Sequence, residues 1–201
     1  MEEKTSSSPD LSLHRLEALT DGIFAFAMTL LVLSFNLPGS LKGFDINTLI
    51  FSQRDRFFNF FLSFFLLAVF WLINQQMFAH VRKTDYKHLW LNILTLAFVV
   101  FIPFSASLVS EFPDNAPSEF FFALNMFLVS VSIEASWIYA IRGRKLIKDE
   151  AEEKHLRHRL KRNLVIPFIS AAAMVLSFID PEVCSYLYLL IPFLLTLPLF
   201  K

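Results

Sequence analysis

Three charged residues crowd the start of an apolar run: Arg15, Glu17 and Asp21, followed by Gly22-Ile-Phe-Ala-Phe-Ala-Met-Thr-Leu-Leu-Val-Leu. From Gly22 to Leu37 the chain carries no charge. Charges at the edge of such a run do one of two things. In a headgroup layer they anchor a helix. Deeper in, they face protein or water and mark a path for ions or protons, because a charge at mid-bilayer costs ~2.5–3.5 kcal/mol on insertion scales. Anchoring suits Arg15 and Glu17. Asp21 lies about 9 Å further along a helix axis than Arg15 at 1.5 Å per residue, so it is a candidate for ion attraction or for a hydrogen-bonded network. Beyond it, Gly22, Phe26, Thr29 and Leu33 fall at i, i+4, i+7 and i+11 and make one stripe, flanked by Ala25 and Leu30. Stripes of this kind usually pack helices together, with Gly and Ala admitting a close neighbour.

A second acid, Glu134, interrupts a later apolar run at ~11 Å from its inner end, on one face with Ser130. A hydrogen-bonded structural acid is the ordinary reading and a proton-sensing or ion-attracting acid the sharper one. The remaining candidates point away from catalysis. His14, His80 and His88 have no metal-ligand spacing, and His155 with His158 reads as a solvated pair. There is no nucleophile–base set, HExxH or phosphate loop. No enzyme activity, cofactor or tightly bound metal is expected.

The elements that must position these residues are membrane helices. The chain has 201 residues, 55% of them hydrophobic and 25 of them Phe, with a mean hydropathy of +0.53. Its 18 Lys and Arg balance 18 Asp and Glu, so no basic excess supports nucleic-acid binding. One cysteine, Cys184, allows no internal disulfide. From Phe57 to Ala79 no charge interrupts 23 positions, and Leu89 to Ser110 is equally uncharged. About 20 such residues cross a ~30 Å hydrocarbon core. Six spans are predicted, at about 9–37, 57–79, 89–110, 120–141, 163–179 and 183–200: an all-α polytopic membrane protein in one unit, 1–201. Ser8-Pro9-Asp10 reads as the first helix start and Pro38-Gly39 as its stop, and the N-terminal run is too long for a secretory signal. Pro192 and Pro198 interrupt the sixth span.

With this topology, 15 Lys and Arg lie on the side of the termini and only Lys42, Arg54 and Arg56 on the other. Both termini are therefore expected in the cytoplasm. Nine of the 15 fall in the connection from Arg142 to Arg162, which mixes signs at helical spacing. It reads as a solvated helical extension, with anionic headgroup binding as the alternative.

The segment RLEALTDGIFAFAMTLLVL resembles the signature helix of the transmembrane protein 175 potassium channel family in its short prokaryotic form. The family pattern, Arg, three residues, then Phe-Ser-Asp, stands here as Arg15, three residues, then Leu19-Thr20-Asp21. The second predicted span (Phe70, Trp71, Asn74, Gln75, Gln76, Phe78) and the third (Leu89, Trp90, Asn92, Pro103-Phe104-Ser105) are similar to the family's next two helices. Gln75 and Gln76 depart from a common histidine there. The resemblance covers roughly residues 12–110.

It implies a six-helix subunit, a homotetramer in the plasma membrane, and a central pore lined by the first helices. It also implies an apolar constriction at Phe26 and Leu33, with Thr29 contributing to potassium preference near a permeant ion. Phe26 replaces the usual Ile or Leu. No carbonyl filter of the Thr-Val-Gly-Tyr-Gly type is present. Arg15 is expected in a structural network with Asn74, Gln75 and Asn92. Asp21 belongs either to that network or to an acidic ring that concentrates cations. The expected function is passive, potassium-preferring conduction. A proton- or ion-coupled carrier titrating at Asp21 or Glu134, and a scaffold without transport, are the other classes.

Overall fold

The computed structural model describes residues 13–35, 45–142, 146, 150–191 and 194, with only the backbone described for 48–49 and 150–155. The helix start at Ser8-Pro9-Asp10, the stop at Pro38-Gly39 and the stretch with Pro192 and Pro198 lie outside those residues. Everything described is helical or connecting. α1 (Leu13–Leu30) tightens into a 3-10 turn (Leu31–Ser34). A short α2 (Ile46–Ser52) precedes α3 (Arg54–Phe78). α4 (Tyr86–Val100) and α5 (Ile102–Glu111) follow, then α6 (Ala116–Ile141), α7 (Glu150–Asn163), α8 (Val165–Leu176) and α9 (Pro181–Cys184), which runs into a 3-10 turn (Ser185–Leu189).

Local chemistry sets these boundaries. Asp85 caps α4, its Oδ1 accepting from the His88 N–H at 2.9 Å, and Asn115 caps α6 through the Ser118 N–H. The third predicted span is two helices rather than one. Pro103 has no N–H to return to Val99, and the chain steps through Phe101, whose N–H bonds Phe98 in a tighter turn. Pro167 acts the same way beside Leu164, where α7 gives way to α8.

Four segments among the described residues are long and apolar enough to cross a membrane: Leu13–Ser34, Arg54–Phe78, Tyr86–Glu111 and Ala116–Ile141. The protein is thus an all-helical, multi-pass membrane protein. Within the fifth predicted span lies the 12-residue α8, with a turn over 177–179. The described part of the sixth is α9 and its 3-10 turn.

α6 is the centre of the packing. It lies against α4, α5 and α8, while α1 rests on α3 and α4. Trp137, Met126 and Ile133 of α6 are fully buried, as are Tyr188, Phe70, Leu67 and Phe24 from its surroundings. At one end Arg56 ties three elements, donating to Ser34 O at 3.4 Å and pairing with Glu111 at 3.2 Å. At the other end the inner connection is not wholly solvated, as the sequence led us to expect. Arg82 N–H donates to Leu146 O at 2.8 Å. Leu146, Leu156 and Asn163 are buried; α7 packs on α6 and α8, and its Arg159 and Arg162 reach Gln76 at the end of α3.

Candidate ion pathway along the first helix

α1 has two unlike faces. Leu16, Thr20, Phe24, Ala27, Leu31 and Ser34 are buried against the subunit. On the other side Gly22, Ala25 and Thr29 are exposed, with Phe26 61% and Leu33 68% accessible. The predicted stripe is therefore the uncovered face. A Cβ built on Gly22 would meet nothing within 4 Å, so this glycine admits no close helix within the subunit. Thr29 Oγ1 donates to Phe26 O at 2.7 Å. With its proton turned back to the helix, the hydroxyl has its lone pairs free to accept or to coordinate.

The network expected around Arg15 comes apart into separate pieces. Asp21 Oδ1 accepts from Trp71 Nε1 at 2.8 Å and from Gln75 Nε2, which clamps α1 to α3. Asn74 is buried but turns to its own helix, donating to Phe70 O. Asn92 donates to His88 O and to Ser136 Oγ, and so joins α4 to α6 rather than to α1. Thr20 is buried with its hydroxyl on Leu16 O, and Leu19 is half-exposed. Arg15 is exposed and makes no hydrogen bond or ion pair with a described residue. Only Asp21 and Gln75 of the expected set meet.

Sequence reasoning missed Trp71 as a polar partner, although Trp71 and Gln75 at i,i+4 share a face. It also missed Gln76, whose Oε1 accepts from Arg159 Nη1 and from Arg162 Nη2. Near the start of α4, Tyr139 donates to Asp85 Oδ2 at 2.6 Å and Thr84 pairs with the buried His88. Burial alone would raise the Asp85 pKa. The His88 amide and the Tyr139 hydroxyl outweigh it and hold the carboxyl below its ordinary 3.8. Glu134 is buried on α6 at a cavity shared with Leu164, Pro167 and Phe168, away from the α1–α3 clamp. No group of three or more His, Cys, Asp or Glu among the described residues is placed to hold a metal ion.

Residues 15–103, which take in nearly all of α1 and the whole of α3 and α4, match the family described as "Endosomal/lysosomal potassium channel TMEM175". Over these residues the chain is similar to the TMEM175 family. A potassium channel of Chamaesiphon minutus is 27% identical over 171 residues, spanning 83% of this chain and 84% of the relative. The zebrafish (Danio rerio) "Endosomal/lysosomal proton channel TMEM175" is 31% identical over 147 residues, 67% of this chain but 28% of that protein. The chain thus spans most of the Chamaesiphon relative and little over a quarter of the zebrafish one. The crystal structure of the Chamaesiphon minutus TMEM175 homologue superposes with a TM-score of 0.79, covering 92% of this chain and 98% of the other at 24% identity. The fold is the family's.

Proposed function

We propose that this protein is one subunit of a homotetrameric potassium channel, passive and not an enzyme, with pores built from four copies of α1. The observation that carries this reading is the uncovered face of α1, where Phe26, Thr29 and Leu33 sit beside a glycine that meets no neighbour. A single subunit cannot enclose a path along that face; four related by symmetry can. Phe26 and Leu33 form the apolar constriction, which holds back water and ions until the helices separate. Thr29 between them offers four hydroxyl oxygens to an ion that has shed part of its hydration. Asp21, held by Trp71 and Gln75, places four carboxylates at the inner mouth and raises the local cation concentration. The bonds that position Asp21 also make it structural, so its two expected roles are compatible. Arg15 has no partner among the described residues of its own subunit and sits at the boundary with a neighbouring copy.

The topology proposed with this reading is six spans over 1–201, both termini cytoplasmic, in the plasma membrane. Its basis is the excess of Lys and Arg on the inner side. The carrier reading is weaker because its two candidate acids, Asp21 and Glu134, stand on different helix pairs.

Reversal potentials of the purified protein in planar bilayers test the proposal. Unitary steps that follow the potassium gradient, with little response to sodium, are expected. Saturable coupled flux without steps, or currents that follow only the pH gradient, would overturn it.

A further inference from the structure

A groove between α6 and α8 differs in character from the α1 face. At the end of α6 a neighbouring cavity of about 280 Å³, between α6 and α7, is walled by Ile138, Ile141 and Leu160 and flanked by Arg142 and by Arg157, which also has a contact within the subunit. Ile138 also lines a second cavity of about 390 Å³, which continues past Glu134 and Ala135 to Phe127 and Ala171. The two meet at Ile138. Their walls are apolar apart from Glu134, whose Oε2 is buried without a hydrogen-bond partner. From Ile138 to Phe127 the slot runs 11 residues, about 16.5 Å along the helix axis. Half of a ~30 Å hydrocarbon core is ~15 Å, the depth of one leaflet.

We propose that this groove is a binding site for an anionic phospholipid of the inner leaflet, with its phosphate on Arg142 and Arg157 and one acyl chain along the α6–α8 slot. Ordinary lipid-facing helix surface would explain the apolar walls but not two guanidinium groups at one end of a slot one leaflet deep. Guanidinium is the side chain best matched to a phosphate, through paired charge-assisted hydrogen bonds. A zwitterionic headgroup offers the same phosphate but brings its own cation towards the two arginines. The site therefore distinguishes lipids by headgroup charge and holds them by chain burial. It does not depend on what passes along α1.

The test is native mass measurement of the detergent-purified protein with equal amounts of dioleoylphosphatidylglycerol and dioleoylphosphatidylcholine. We expect about tenfold preference for the anionic lipid, the size of one or two partly screened charge-assisted bonds. Arg142→Gln with Arg157→Gln should bring the two lipids to within about twofold. Arg142→Gln alone, at an exposed side chain, should move retention the same way by less. Ala171→Phe fills the slot, keeps both arginines, and should lower retention of both lipids. Equal retention by the unmodified protein would mean ordinary boundary lipid only and would overturn the proposal. So would a preference that survives the double variant. Displacement of the lipid by an equal concentration of glycerol 3-phosphate would make this a soluble-phosphate site. A change of oligomeric state with Ala171→Phe and no loss of lipid would mean that another copy of the chain covers the groove. Either result also overturns it.

Discussion

α1 and α6 are both apolar enough to span a membrane, yet the subunit treats them in opposite ways. Of the most apolar window in each, 28% is buried for α1 (taken with its 3-10 turn) and 61% for α6. Two amides around α6 find partners inside the subunit: Asn92 reaches Ser136, and Asn125 on α6 itself donates to Ser105 at 3.0 Å. On α1 the Thr29 hydroxyl turns to its own backbone, and Phe26 and Leu33 beside it are mostly exposed. Hydropathy says that a helix belongs in the membrane. It does not say what covers it. That has to come from packing, and here packing closes the subunit around α6 and leaves it unfinished at α1.

The sharpest way to break the contrast is to truncate one large ring on each helix. Trp137→Ala, in the last turns of α6 at 1% exposure, should cost ~3–5 kcal/mol, as for a core aromatic. Thermal unfolding in mild detergent would read this as a large fall in Tm or a loss of folded protein. Phe26→Ala should shift the unfolding of the subunit by only about 0.5 kcal/mol, as for a surface substitution. In bilayer recordings it should raise unitary potassium current and weaken discrimination against sodium. Equal destabilisation by the two variants would erase the distinction between the helices.

An intermediate effect is expected at the clamp that joins the exposed helix to the core. Trp71→Phe keeps the ring and removes one hydrogen bond to the Asp21 carboxylate, worth ~1.5–3 kcal/mol for a bond to a charged group. Guanidinium-free denaturation, with urea in detergent, would measure it. No loss of stability would mean that α1 is held by its apolar face alone.

How far these positions were readable beforehand differs between the helices. On α1 the i, i+4, i+7, i+11 stripe of Gly22, Phe26, Thr29 and Leu33 was legible because one helix's periodicity decides which residues share a face. The partners of Asn92 and Gln76 were not, because Ser136 and Arg159 are brought there by the turns between helices, which spacing within one helix does not encode. Asp21 was legible as a residue that needs an explanation and not as the acceptor for Trp71. The break at Phe101 had its signal in Pro103. Burial of Leu156 and Asn163 ran against the charge-rich composition of α7, which reads as solvent-exposed until its neighbours on α6 and α8 are known.

Smaller effects should come from the cap of α4 and from Thr29. Asp85 is held below its ordinary value in the folded state, so its contribution is complete above about pH 4 and is lost as the pH falls through the depressed folded value. Asp85→Asn should remove that acid-side loss and cost at most ~0.5–2 kcal/mol at neutral pH, the range for an N-cap. Stability curves of both forms from pH 3 to 7 would show it. Thr29→Ala should leave unfolding unchanged within about 0.5 kcal/mol, while shifting the potassium-to-sodium permeability ratio. A change in stability without a change in ratio would return Thr29 to the packing surface.

Gln75 and Gln76 are neighbours in sequence and point about 100° apart on α3. One holds α1 through Asp21; the other receives Arg159 and Arg162 of α7. The charged inner connection and the exposed helix are thus mechanically in series, with a single peptide unit between their points of attachment. A load that tilts or draws away α7 arrives at α3 beside the clamp of α1, with no flexible loop to absorb it. A stiff lever of this kind transmits displacement in both directions, so a shift of α1 is felt equally at α7.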